Sequence, residues 1–187
     1  MSAIDKGVDE SADHLGGLVT VRSERTLPGR EHVAVLFTDI VDSTAHLLEA
    51  GDQCWRDTLD THDLLARRCA RARQGRVVKS TGDGVLATFP SAGDALAAVR
   101  GLAEALVPLS LLIRAAIHVG EVELRSDGDI GGLNVHVAAR LLATAGAGDI
   151  VLSDAAAGDL TEATVYVGDS ELKGLPGLWA VHVAYRP

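Results

Sequence analysis

The stretch EHVAVLFTDIVDST, residues 31–44, runs from apolar positions straight into two aspartates, Asp39 and Asp42, set three positions apart. Residues 33–38, VAVLFT, form the continuous apolar run expected of a central strand buried on both faces. Asp39 then stands at the mouth of that strand, beside the small hydroxylated residues Ser43 and Thr44. The segment STAHLLEAG reads as a short helix with Ser43 as its N-cap. A carboxylate in this place either starts a helix or holds a cation.

Outward from this stretch, the pattern alternates between strand and helix. DQCWRDTLDTHDLLARRCARARQ places Trp55, Leu59, His62, Leu65 or Ala66, and Cys69 at helical spacing. GRVVKSTGDGVLATF has two short β-rich runs around Gly82-Asp83, the signature of a hairpin. SAGDALAAVRGLAEALV carries Ala92, Ala95, Leu96, Val99, Leu102, Ala103 and Leu106 on one helical stripe. LSLLIRAAIHVGEVELR reads as a strand continuing into an exposed arm, DGDIGG as a loop, and LNVHVAARLLATAGAG as a helix closed by glycines. DIVLS and ATVYVG read as strands around a short helix, and LWAVHVAY as a last strand. Residues 1–31 show weak periodicity and many charges, which predicts a flexible leader with one short strand at GLVTV; residues 32–187 form one domain. The expected fold class is α+β, with a mainly antiparallel sheet and helices on one of its faces.

Bulk composition narrows the function. The 187 residues carry a formal net charge of -9, with 47% hydrophobic and only 3% aromatic side chains. Such a chain repels polyanions on average, and no basic run interleaved with aromatics offsets this, so nucleic acid is not an expected partner. Cys54 and Cys69 have no CxxC partner and read as two free, partly buried thiols of a reducing cytosol. The acid-rich start is not a signal peptide, and the apolar stretch GLAEALVPLSLLIRAAIHV is interrupted by Glu104, Pro108, Arg114 and His118, which argues against membrane insertion. The expectation is a cytoplasmic domain.

The chemistry-bearing residues sit at turns. If the hairpin pairs beside the first strand, Asp39 and Asp83 project from one end of the sheet. Two carboxylates joined by substrate phosphates are a usual Mg²⁺ arrangement, because that ion keeps waters and seldom takes an all-protein cage. Lys79 lies four residues before Asp83, and Arg114 interrupts an otherwise apolar strand that demands an anionic partner or an edge position. His136 and Arg140 share one helix face at i, i+4, just after the GDIGG loop, a surface suited to stabilising phosphate. No GxxxxGK[ST], no GxGxxG after a strand, no HExxH and no GxSxG is present. The aspartates of DIVDST are one residue too far apart for a DxDx[TV] phosphatase nucleophile.

Taken together, these segments resemble the class III nucleotidyl (adenylyl/guanylyl) cyclase catalytic domain, over roughly residues 32 to 184. VLFTDIVDST is similar to that family's first metal motif, VKSTGDGVLATF to its Lys-x-x-Gly-Asp hairpin, and IRAAIHVGEV to its arginine-bearing strand. GDIGGLNVHVAARL resembles its dimerisation arm and transition-state helix, and LKGLPGLWAVHV its closing strand. The wording is closest to actinobacterial members.

The resemblance implies a ferredoxin-like, palm-type fold with a dimerisation arm, and conversion of ATP to 3′,5′-cyclic AMP and pyrophosphate by attack of the ribose 3′-oxygen on the α-phosphate. It implies that Asp39 and Asp83, assisted by the Ile40 carbonyl, hold two Mg²⁺ or Mn²⁺ ions. The turn through Ser43 and Thr44 would offer backbone N–H groups to the triphosphate, and Arg114 would contact phosphate. Lys79 and Asp129 would read the purine, Arg140 would stabilise the transition state, and His136 stands where an asparagine usually orients the ribose. Asp42 replaces a common glycine, and Lys173 has no clear counterpart. The site is implied to lie between two copies of the chain, a homodimer with Asp39 and Asp83 from one subunit and Lys79, Asp129, His136 and Arg140 from the other. The alternatives are a weakly active or silent nucleotide-binding module and, against the Lys79/Asp129 pair, a guanylyl cyclase.

Overall fold

The computed structural model describes residues 29–184. Its central strand β1, Arg30–Ile40, contains the apolar run of residues 33–38. Alternate residues enter two different cores: Ala34 and Leu36 pack on one face, Val33 and Val35 on the other. The strand starts at Arg30, so the first two of its residues fall inside the expected leader; the strand expected at GLVTV lies outside the described residues.

Helix α1, Ser43–Arg71, is followed by the hairpin β2, Arg76–Ser80, and β3, Val85–Phe89. Then come α2, Ala92–Leu106, and β4, Ile113–Leu124. The chain continues with β5, Ile130–Gly131; α3, Leu133–Leu142; β6, Ile150–Ser153; α4, Asp154–Gly158; β7, Thr164–Glu171; and β8, Leu178–Ala184. The sheet runs β2-β3-β1-β4-β6-β8-β7, with β5 paired to β4. All its pairings are antiparallel except that of β4 with β6. Among the described residues no helix is long and apolar enough to cross a membrane.

Four expectations are corrected. Helices cover both faces: Ala66 and Ala70 of α1 and the buried stripe of α2 pack with Ala34 and Leu36, whereas Ala138 of α3 packs with Val33 and Val35. An amphipathic stripe states that a helix is buried on one side, not on which side of a sheet. The expected short helix and the long one after it form one α1 broken at Gly51, whose φ of 77° and ψ of 161° are non-helical. The stretch of β4 expected to form an exposed arm stays paired with the start of β1, and its Val122 is wholly buried. Of the two free thiols, Cys69 is half-buried but Cys54 is exposed.

Helix α2 shows why sequence and structure agree where they do. Ser91 caps it, its hydroxyl accepting from the Asp94 N–H at 3.1 Å, and the buried positions Ala92, Ala95, Leu96, Val99, Leu102 and Leu106 repeat at helical spacing. Within α1, His62 is fully buried; its Nδ1 meets the Asp63 carboxylate at 3.1 Å, while Nε2 has no partner.

Burial pushes the His62 pKa below the ordinary 6.5, against the raising effect of Asp63. The folded state therefore favours the neutral ring, and stability present above pH 6.5 is lost as the pH falls through the depressed folded value. We expect His62→Leu to match the wild type within ~1 kcal/mol at neutral pH, since it removes an orphaned buried polar atom along with one hydrogen bond. Its thermal midpoint should fall less than the wild type's on acidification from pH 7 to 5; equal losses in both proteins would refute this assignment.

Candidate active site

Three contacts bring the two carboxylates together. The Ile40 N–H donates to the Asp83 carbonyl at 2.9 Å, and the Val85 N–H donates to Thr38 Oγ1 at 3.1 Å. Between them, Gly84 lies so close to β1 that a Cβ there would stand 1.9 Å from the Thr38 carbonyl oxygen. Gly82, with φ of 107°, supplies the turn that only glycine adopts readily. Asp83 at the hairpin tip thus lies against the end of β1, beside Asp39.

Arg114 comes from the neighbouring strand. The β1–β4 register pairs it directly with Asp39, and its Nε and Nη2 donate to Asp39 Oδ2 at 2.8 and 2.6 Å. The arginine in an apolar strand has its anionic partner, and it sits in the middle of the sheet. Ser43 Oγ donates to Asp83 Oδ2 at 2.6 Å, so its hydroxyl does not cap the helix. The cap position is Asp42, which makes no side-chain cap hydrogen bond and has φ of 54° and ψ of 32°. That left-handed conformation is open to glycine and, among other residues, best tolerated by aspartate and asparagine. The Asp42 backbone therefore accounts for an aspartate standing where the resembling motif has glycine.

Asp39, Ile40, Asp42, Ser43, Thr44, Asp83 and Arg114 line one open cavity of about 610 Å³. The Asp39 carboxyl is held above its ordinary value: burial is the main cause, the Arg114 hydrogen bond opposes it, and the Asp83 charge adds to it. Repulsion between two facing carboxylates is what a divalent cation relieves, and carboxylate oxygens beside an open cavity suit Mg²⁺ or Mn²⁺. The donor set therefore fits such an ion. Among the described residues no three His, Cys, Asp or Glu side chains converge as a cage, so its remaining ligands would come from substrate or water. A second, more apolar cavity of about 210 Å³ lies between α2 and the start of β4; Arg100 and Glu104 line it, but it has no paired carboxylates.

The other expected site residues form separate groups. Lys79 Nζ donates to Asp129 Oδ2 at 2.6 Å, and this contact holds the Asp129 carboxyl below the usual aspartate value, aided by the Ile130 N–H. His136 and Arg140 share the exposed side of α3, opposite the buried Val137, Ala138 and Leu141. None of Lys79, Asp129, His136 or Arg140 lines the cavity at Asp39 and Asp83. Lys173 sits between β7 and β8 and is also outside that cavity. Sequence reasoning missed the role of Ser43 and the pairing of Arg114 with Asp39, because both depend on strand register. A lone arginine in an apolar strand was the available signal.

No family model matches the chain. It is 33% identical over 140 residues to a protein described as putative adenylate cyclase 3 of Rhizobium meliloti (strain 1021), a match covering 67% of this chain and 22% of that protein. The chain thus spans about a fifth of that relative's length. The structure superposes on the adenylyl cyclase CyaB from P. aeruginosa with a TM-score of 0.75 at 22% identity, covering 84% of this chain and 95% of that one. With the guanylate cyclase domain of RhGC from Catenaria anguillulae, in complex with GTP, the TM-score is 0.76 at 22% identity, covering 85% and 100%. The fold is that of class III adenylyl and guanylyl cyclase catalytic domains.

Gly84→Ala should separate the hairpin tip from β1. We expect a loss of about 1–3 kcal/mol in stability, the usual range for overpacking. Gly158→Ala, where an added Cβ meets nothing within 4 Å, should leave the thermal midpoint almost unchanged. Equal midpoints for the two variants would contradict the close approach.

Proposed function

We propose that this chain, folded as a class III cyclase catalytic domain, converts ATP to 3′,5′-cyclic AMP and pyrophosphate. The observation that carries this reading is the pair of facing carboxylates, Asp39 and Asp83, fixed at one mouth of the sheet beside Arg114 and a helix start. Asp39 and Asp83 would hold Mg²⁺ or Mn²⁺, which when bound neutralises phosphate charge and lowers the pKa of a coordinated hydroxyl. The exposed backbone at Ser43 and Thr44, at the positive end of α1, faces the triphosphate.

The protein supplies positioning and charge, because this phosphoryl transfer asks for little covalent chemistry from it. Arg114 orients Asp39 and places a fixed cation beside the phosphates. Arg140 stabilises charge developing on the α-phosphoryl group, a type of contribution worth about 10²–10³-fold in turnover elsewhere. Lys79 donates to N1 of adenine, and Asp129 accepts from its 6-amino group. Guanine offers an acceptor at O6 and a donor at N1, so the same pair favours ATP over GTP. His136 donates to the ribose in place of the amide of asparagine.

Lys79, Asp129, His136 and Arg140 do not line the carboxylate cavity of their own copy, so a second copy of the chain is proposed to complete each site. In a head-to-tail dimer, the carboxylate cavity of one protomer faces the Lys79–Asp129 pair and α3 of its partner. A second reading, a nucleotide-binding module with little turnover, is favoured by His136 alone.

The test is product formation from Mn²⁺-ATP and, in parallel, Mn²⁺-GTP, followed across protein concentration. The expected outcome is cyclic AMP with a rate per chain that rises with concentration, a much smaller yield from GTP, and abolition by Asp39→Asn. Absence of product at high concentration would leave the binding module; a preference for GTP would overturn the assignment of Lys79 and Asp129.

A further inference from the structure

A polar chain, buried at its His118–Ser153 end and open to solvent at its Asn134 end, crosses the face of the sheet that α3 covers. Asn134, in the first turn of α3, donates from Nδ2 to the Glu121 carbonyl of β4 at 2.8 Å. Its Oδ1 meets Nε2 of His118, also on β4, at 2.9 Å. His118 Nδ1 meets Ser153 Oγ at the end of β6, 2.7 Å away, and Ser153 Oγ accepts from the Ala156 N–H, capping α4. His118 and Ser153 are almost completely buried. Room for the Asn134 amide exists only because residue 120 is glycine: a Cβ there would stand 2.5 Å from Asn134 Cγ. The Trp179 indole closes on the His118 ring edge-on, with centroids 6.3 Å apart.

The hydrogen-bond roles in this chain are determined. A carbonyl only accepts, so the Asn134 amide nitrogen faces Glu121 and its oxygen faces His118. His118 Nε2 must then carry a proton, and in the neutral ring Nδ1 accepts from the Ser153 hydroxyl. One neutral imidazole in one tautomer satisfies every group, and burial, which pushes the His118 pKa below the ordinary histidine value, favours that form. The packing of Val137, Ala138 and Leu141 buries α3 and constrains it, but apolar contacts are non-directional and tolerate small shifts more readily than hydrogen bonds do. The polar chain is directional.

We propose that the Asn134–His118–Ser153 relay fixes the register of α3, making His118 a positioning residue for His136 and Arg140. Its catalytic consequence rests on the cyclase reading; its structural part does not. His118 touches no reacting atom. It ties β4 and β6 to the first turn of the helix, two residues before His136 and six before Arg140.

Two measurements decide the matter. Long-range ¹H–¹⁵N spectra of the wild-type imidazoles should show His118 as the Nε2–H tautomer with unprotonated Nδ1; the opposite tautomer would overturn the relay. In Asn134→Ala, amide exchange along α3 should accelerate about tenfold, the effect of losing roughly one to two partly exposed hydrogen bonds. With Mn²⁺-ATP, that variant should lose about 10–100-fold in kcat with KM within about twofold, since misplacing a transition-state group by ~1 Å has that scale of effect. Unchanged α3 exchange would refute the relay, and unchanged kcat would refute its link to Arg140. If the wild type forms no product, the cyclase reading fails, while tautomer and exchange still test the relay.

Discussion

The site depends on the close approach of a hairpin tip to the end of a central strand. Gly84 sits where any side chain would collide with the Thr38 carbonyl, and two hydrogen bonds, from Ile40 and Val85, close the seam on either side. Asp83 consequently stands beside Asp39 although 44 positions separate them in sequence. Two facing carboxylates repel, and the fold holds them by local compensation: Arg114 on Asp39 and the Ser43 hydroxyl on Asp83. On the proposed reading, such an arrangement serves cation binding more than it stabilises the fold.

Legibility in the sequence followed periodicity. The run VAVLFT, the Gly82-Asp83 hairpin and the apolar stripe of α2 were readable because each pattern matches one repeat, two for strands and 3.6 for helices. The α+β class and the mainly antiparallel sheet followed from their order. Face and register were not readable. Placing α3 on the side opposite α1 and α2 depends on where β4 and β6 pair, and the partnership of Arg114 with Asp39 depends on a β1–β4 register that pattern alone leaves open. The same limit hid the hydroxyl of Ser43, which points at Asp83 and leaves the cap position to Asp42.

Asp42 shows how a backbone constraint can pass for a chemical one. It is an extra carboxylate in FTDIVDST where the resembling motif has glycine, and its left-handed conformation is a sufficient reason for a residue of this type. Asp39 differs: it is partly buried, paired with Arg114 and adjacent to Asp83. Both aspartates line the cavity, but only Asp39 is paired with Arg114 and set beside Asp83, while the backbone alone accounts for an aspartate at position 42.

The proposed function has each site completed by residues from two copies of the chain. Within one copy, Asp39 and Asp83 line a cavity that Lys79, Asp129, His136 and Arg140 do not line. Mixing Asp39→Ala chains with Arg140→Ala chains tests the claim most directly, because in a head-to-tail dimer one of the two sites then keeps every residue intact. Each variant alone should be nearly inactive with Mn²⁺-ATP, and the mixture should recover cyclic AMP formation. A mixture that forms heterodimers, shown by differently tagged chains, yet stays as silent as its parts would contradict the account.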